Sequence, residues 1–294
     1  MNIKNICFFN HMMNGDSFVS KEYVRELISL FPSIRCTYAH GNHQSIVADL
    51  NCDLIRNFPT DLQRSLPLAY QQESGTLFIN TWVGCWIGRF LHTGVQDHAN
   101  FPILYESWKE VYSFLNLQIQ KDYTHYLPTI NWETFDLSQA NKYLNSIEGK
   151  SLILVCNGMQ QSNQSNVGNM RDVVNHLAVV YPSFEFLLCA PIDVDLPNVL
   201  FADNIFNSNV GNLNQISYIS QHAKLIIGKN SGPFTFSHTK ENLENSGTTF
   251  LCFSTKFHEC LMGAGNYDAK FYFSNTTDTQ EVINICKSII DKIY

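Results

Sequence analysis

Short apolar runs alternate along this chain with stretches in which apolar residues recur every three or four positions. The first run, Ile3-Lys-Asn-Ile-Cys-Phe-Phe9, is rich in β-favouring residues and predicts a strand that ends at a polar turn containing Asn14-Gly15-Asp16. Val24, Leu27, Ile28 and Phe31 then fall on one helical face, and Pro32 stops that helix before a second strand over Ile34–Ala39. The same grammar returns in the second half: a strand over Ser151–Asn157, a polar loop over Gly158–Asn166, a helix carrying Met170, Val173, Val174 and Leu177, and a strand over Phe184–Ala190. The helix ends match as well, Leu27-x-x-x-Phe31-Pro32-Ser33 against Leu177-x-x-x-Tyr181-Pro182-Ser183, 150 positions apart. A repeat of this kind predicts twin doubly wound halves.

The second half continues with a strand over Val199–Ala202, a helix over Leu213–His222, a strand over Leu225–Gly228, a short helix after Pro233 and a strand over Thr249–Phe253. A closing helix over Thr279–Ile293 places Val282, Cys286, Ile289 and Ile293 on one stripe. Strands and helices alternating at these lengths require parallel pairing through right-handed crossovers. In the first half Phe78-Ile79-Asn80 reads as a strand and Ser107–Leu117 as a helix. The expected fold is α/β with two Rossmann-like domains facing each other across a cleft. The N-terminal domain spans residues 1–135, a linker 136–149 and the C-terminal domain 150–294.

Length and composition agree with two packed cores: 294 residues, 45% hydrophobic and 15% charged, which excludes a disordered chain. A net charge of −7 offers no broad basic surface, so nucleic acid is not an expected partner. Nine cysteines without a C-x-x-C motif read as reduced, small hydrophobes. The chain opens on a strand and not on a secretory signal, and the most apolar stretch, Leu77–Leu91, is too short for a span and contains Asn80, Thr81 and Arg89. The expectation is a cytoplasmic protein without a transmembrane span, which at most touches lipid-linked material at the membrane surface.

Candidate chemistry lies where strands end and helices begin, because such loops present free backbone N–H groups and positive dipole ends. The foremost is Ile226-Ile227-Gly228-Lys229-Asn230-Ser231-Gly232-Pro233, with Pro233 at the preferred first helical position for proline. Gly228 and Gly232 allow close approach to a diphosphate and Ser231 adds a hydroxyl; the alternative is a tight turn with an ordinary serine N-cap. In the first half Asp16 is either an N-cap or a general base toward an acceptor hydroxyl.

Gly15-Asp16 ahead of a helix ending in Leu-Phe-Pro, together with Ile-Gly-x-Asn-Ser-Gly-Pro in the second half, resembles glycosyltransferase family 9, the heptosyltransferases of lipopolysaccharide core assembly. The resemblance implies the GT-B fold, an N-terminal acceptor domain, a C-terminal sugar-nucleotide domain, Asp16 as catalytic base, and Ser231, Gly232 and Pro233 as the loop that holds the donor phosphates. The chain departs from the family pattern in three places. Asn230 stands for the motif Asp, Thr235 stands for the motif His, and the loop after Asn157 lacks the family's Lys and Trp. Lys229 or Arg171 could replace the missing positive charge.

Other candidates follow from position. Glu259, in the loop Thr255–Gly265, suits ribose hydroxyls, with surface charge as the alternative, and His258 beside it is equally open. His40 and His43 have metal-ligand spacing but no third ligand at a recognisable interval, so no metal is expected and both are candidates to line an acceptor pocket. Trp82 would stack on a sugar ring, or else belong to the core.

The resulting expectation is an inverting, metal-independent glycosyltransferase that needs no cofactor, taking a nucleotide-sugar donor and a glycan or glycolipid acceptor, as in bacterial surface polysaccharide. The alternatives are a non-catalytic sugar-nucleotide or glycan-binding protein on the same scaffold, and a nucleotide-sugar epimerase or hydrolase.

Overall fold

The computed structural model describes residues 3–10, 14–41, 44–56, 69–71, 74–81, 100–158, 170–206, 212–229, 231–255, 257, 260–263 and 265–294. The chain divides into two compact units, Met1–Thr134 and Phe135–Tyr294.

The first unit holds strand β1 (Asn5–Asn10), helices α1 (Asn14–Val19) and α2 (Lys21–Leu30), strands β2 (Arg35–His40), β3 (Asp53–Ile55), β4 (Ala69–Gln71) and β5 (Thr76–Asn80), and helix α3 (Phe101–Phe114). Its sheet has the order β3-β2-β1-β5-β4, parallel except for the β4–β5 pair. β1 sits centrally, so Ile6, Phe8 and Phe9 are fully buried and the strand reads as an apolar run, as strands covered on both faces do.

The second unit holds α4 (Ser138–Ser146), β6 (Ser151–Cys156), α5 (Met170–Val180), β7 (Phe184–Leu188), β8 (Val199–Phe201), α6 (Ala202–Ile205), α7 (Leu213–Ser220), β9 (Ala223–Lys229), α8 (Gly232–Phe236), α9 (Lys240–Leu243), β10 (Thr249–Phe253), β11 (Lys270–Ser274) and α10 (Thr279–Ile293). Its sheet is β11-β10-β9-β6-β7-β8, parallel throughout. Val173, Val174 and Leu177 of α5 and Val282, Cys286 and Ile289 of α10 pack with Ile153, Val155, Phe186 and Leu251 of the sheet in one core.

The repeated Pro turns have the same geometry. Ile34 N donates to Phe31 O at 3.0 Å and Phe184 N to Tyr181 O at 3.1 Å, returning each chain from helix to sheet.

Several expectations need correction. The turn expected around Asn14–Asp16 is the helix α1, set off from α2 at Ser20, whose hydroxyl donates to Thr81 O at 2.9 Å. Helix α3 begins at Phe101, six residues before the predicted Ser107, because the Asn100 side chain accepts from Ile103 N at 3.2 Å and Pro102 follows it. Within the segment expected to be a linker, α4 buries Ala140 and Tyr143, and Asn141 Oδ1 accepts from the Tyr218 hydroxyl of α7 at 3.0 Å.

Candidate functional site

In each sheet the chain winds out to one side and returns to the other, so a topological switch point falls beside the first strand: between β1 and β5 in the first unit, between β6 and β9 in the second. Open α/β sheets bind ligands at the carboxyl ends of strands at such points.

At the first switch point the strand ends are polar and buried. Asn10, Tyr38, His40, Asn80 and Thr81 have no exposed surface. Thr81 Oγ1 receives Asn10 Nδ2 at 3.2 Å, lies 2.7 Å from the Tyr38 hydroxyl and donates to Phe9 O at 3.3 Å. His40 Nδ1 lies 3.2 Å from Asn10 O and Nε2 3.1 Å from Asn14 Oδ1. Burial pushes the Tyr38 hydroxyl well above the usual phenol range, against the pull of the Ser17 and Thr81 hydroxyls, and the nearby Asp16 charge adds to the rise.

Asp16 lies two residues inside α1, in its first turn, and is partly exposed while Ser17, Phe18 and Val19 behind it are buried. It is therefore not the N-cap; a carboxylate in this turn is favoured by the positive end of the helix dipole. Just beyond, Lys21 and Asp49 form a fully buried ion pair at 2.5 Å, and Arg25 reaches the same carboxylate at 3.0 Å. Burial lowers the Lys21 ammonium, and Asp49 opposes that shift.

At the second switch point β9 ends at Lys229 and α8 begins at Gly232. Ser231 has extended backbone, and its side chain makes no cap hydrogen bond. Its hydroxyl is buried and has no partner among the described residues, with the residue only 7% exposed. The ordinary N-cap reading is thereby removed, and an unsatisfied buried hydroxyl at a strand-to-helix turn invites a ligand acceptor or donor. Space in front of Gly232 is open among the described residues, and a Cβ on Gly158 would stand 3.8 Å from Pro233, so Gly158, just past β6, adjoins the start of α8.

The carbonyls of α8 and the residue after it are held from below. Ser237 Oγ donates to Pro233 O at 3.0 Å, His238 Nδ1 to Phe234 O at 2.7 Å, Ser217 Oγ to Phe236 O at 2.5 Å and Asn242 Nδ2 to Ser237 O at 2.8 Å. His238 is buried against Phe250, ring centroids 4.6 Å apart, and burial lowers its pKa to about 4, leaving it neutral. Sequence reasoning missed this brace, because Ser217, His238 and Asn242 meet only through the packing of three helices.

Three of the expected ligand contacts are engaged within the protein. Gly228 packs against Phe234: a Cβ there would meet the ring at 2.1 Å, so the position has no room for a side chain. Asn157 commits its amide to Ala190, donating to the carbonyl at 2.8 Å and accepting from the N–H at 2.9 Å, which ties the loop after β6 to that after β7. His40, expected to line an acceptor pocket, is buried between Asn10 and Asn14. Arg171 is half-exposed near Asp172 and Asp193, at 3.6 and 3.7 Å. Lys229 closes β9 and is partly buried. His43, Trp82, Asn230, His258 and Glu259 lie outside the described residues. Among the described residues no group of three or more His, Cys, Asp or Glu is placed to hold a metal ion, and no helix is long and apolar enough to cross a membrane.

No family model and no curated protein matches the sequence. Solved structures do match. A glycosyl transferase family 9 protein from Veillonella parvula is similar with a TM-score of 0.57 at 11% identity, over 98% of this chain and 92% of that one. The E. coli heptosyltransferase WaaC with ADP-2-deoxy-2-fluoro heptose is similar with a TM-score of 0.56 at 8% identity, over 99% of this chain and all of that one. This chain has the GT-B fold. The E. coli ADP-heptose LPS heptosyltransferase II is also similar, with a TM-score of 0.50 at 9% identity, over 98% of this chain and 99% of that one. At these identities the shared property is the GT-B fold.

Proposed function

We propose that the chain is an inverting, metal-independent glycosyltransferase that moves a sugar from a nucleotide-diphosphate donor to a glycan or glycolipid acceptor, as in bacterial surface polysaccharide assembly in the cytoplasm. The observation that carries this reading is the pairing of a GT-B fold with two different strand-to-helix junctions at the switch points. One presents a carboxylate, Asp16; the other presents an uncommitted buried hydroxyl, Ser231, beside the open approach at Gly232.

The first unit takes the acceptor and the second the donor. Asp16 removes the proton of the acceptor hydroxyl as that oxygen attacks the anomeric carbon, and the bond from that carbon to the diphosphate oxygen breaks. The leaving diphosphate collects negative charge. Backbone N–H groups at Gly232, the Ser231 hydroxyl and the Lys229 ammonium stabilise it, so that no divalent ion is required. Likeness in fold to a heptosyltransferase holding an ADP-sugar analogue supports the donor class.

The test has two stages. Thermal-shift screening against UDP, GDP, ADP and CMP and their sugar conjugates identifies the donor, which raises the melting temperature by mass action. With that donor, Asp16→Asn is expected to lower turnover by roughly 10²- to 10⁴-fold, the range for loss of a general base, while nucleotide binding persists. Unchanged turnover in this variant would remove Asp16 as the base, and a flat screen would remove the transferase reading.

A further inference from the structure

Helix α1 carries polar side chains at a three-residue interval on the side that meets the sheet: Asn14, Ser17 and then Ser20 at its end. α1 buries Phe18 and Val19 as well, so this polar stripe lies beside the apolar contact that a helix ordinarily makes. Each of the three meets the buried network described above. Asn14 contacts His40 Nε2, Ser17 lies beside the Tyr38 hydroxyl, and Ser20 Oγ donates to Thr81 O.

The bonds converge on Thr81. A hydroxyl has one proton and two lone pairs. At Thr81 the proton goes to Phe9 O, and the lone pairs receive Asn10 Nδ2 and the Tyr38 hydroxyl, so the latter is the donor in its 2.7 Å contact. The Thr81 backbone closes the set, its N–H donating to Phe9 O at 2.9 Å and its carbonyl accepting from Ser20. One side chain, fully buried at the carboxyl end of β5, thus orders Asn10, which leads through its own carbonyl and His40 to the start of α1, and Tyr38, which stands under the middle of that helix.

We infer that Thr81 is a positioning residue for Asp16: its hydroxyl sets the height and rotation of α1 on the sheet, and with them the direction of the carboxylate. Thr81 touches no substrate in this scheme. The inference deepens the proposed function and rests on Asp16 being the base.

Two variants separate the hydroxyl from the bulk of the side chain. Thr81→Val keeps the volume and loses the hydroxyl; Thr81→Ser keeps the hydroxyl and loses a methyl. Hydrogen exchange over residues 14–20 and steady-state transfer kinetics, measured on both, give independent readouts. Thr81→Val is expected to lose protection in 14–20 while the strands keep theirs, and to lower kcat about ten- to a hundredfold with donor KM unchanged, as a small misplacement of a reacting group does. Thr81→Ser is expected to stay within about threefold of the parent in kcat. A Ser variant worse than the Val variant would show that Thr81 acts by packing alone, and wild-type protection and kcat in Thr81→Val would equally overturn the inference. If the parent protein transfers no sugar, the transferase reading fails, while the exchange pattern still decides whether the Thr81 hydroxyl holds α1.

Discussion

The carboxyl ends of the two sheets are built on one plan and filled with opposite chemistry. In the first, the last residues of β1 and β2 are Asn10 and His40, register partners, and Thr81 follows β5. In the second, the corresponding places hold Cys156, Cys189 and Gly228, the two thiols 3.9 Å apart and Gly228 in register with Cys156. The polar trio fixes a helix by directional hydrogen bonds. The small, apolar trio leaves room for Phe234 to pack beneath it, while Ser217, His238 and Asn242 hold the carbonyls of α8 and of Ser237 from below. On the proposed function a base must point in one direction, whereas a loop that takes phosphate must keep its N–H groups and hydroxyl uncommitted, and the two fillings match those needs.

The largest effect that would break this contrast is expected at Gly228. Gly228→Ala forces a methyl into the Phe234 ring and is expected to destabilise the protein by about 2–3 kcal/mol, the upper part of the usual overpacking range. Urea unfolding reads it directly, and an unaffected midpoint would show that the Phe234 ring makes room for a methyl.

A second measurement sharpens the role of the brace. His238 is held neutral with a pKa of about 4, against about 6.5 in an unfolded chain. Its folded pKa is depressed, so the unfolded state takes up the proton first as pH falls. Stability is complete above about pH 6.5 and declines toward pH 4, by about 2 kcal/mol between pH 7.5 and pH 5. His238→Gln should flatten this part of the stability profile, and an equal acid loss in that variant would assign it to other groups.

The smallest stability effect distinguishes a ligand hydroxyl from a cap. Ser231→Ala removes no internal hydrogen bond among the described residues, so unfolding free energy should stay within about 0.5 kcal/mol of the parent, where loss of a true cap costs about 1 kcal/mol. Affinity for the nucleotide diphosphate, by calorimetry, is expected to fall about tenfold, as loss of one hydrogen bond to a charged group does. A stability loss with unchanged affinity would reverse the assignment.

Much of this was legible in residue order. Apolar runs marked β1, β6, β7 and β9, three- and four-residue spacing marked α2, α5 and α10, and the repeated aromatic-Pro-Ser turn marked the twin architecture. The same reading singled out both junctions as candidates, because strand-to-helix junctions carry their own signatures in Gly, Ser, Asp and Pro. It missed β3, β4 and β11, although it found β8 at the same three-residue length as β3 and β4, as well as α4 inside the expected linker and α1, whose six residues mix Asn14 and Ser17 with Phe18 and Val19 and so read as a turn.

By itself the sequence determined the alternating α/β plan and the places of Asp16 and Ser231 in the segments that follow the central strands β1 and β9, since both follow from short-range pattern and turn chemistry. Tertiary structure alone decided what surrounds them. Asn10 and Thr81 are 71 positions apart, Ser217 and Phe236 are 19 apart, and Gly228 answers to a ring six residues ahead that folds back onto it. Directional bonds and van der Waals exclusion act between groups that only packing brings together. For that reason the identity of His40 and Gly228 was plain in the chain, while their roles, a helix anchor and a space for Phe234, were not.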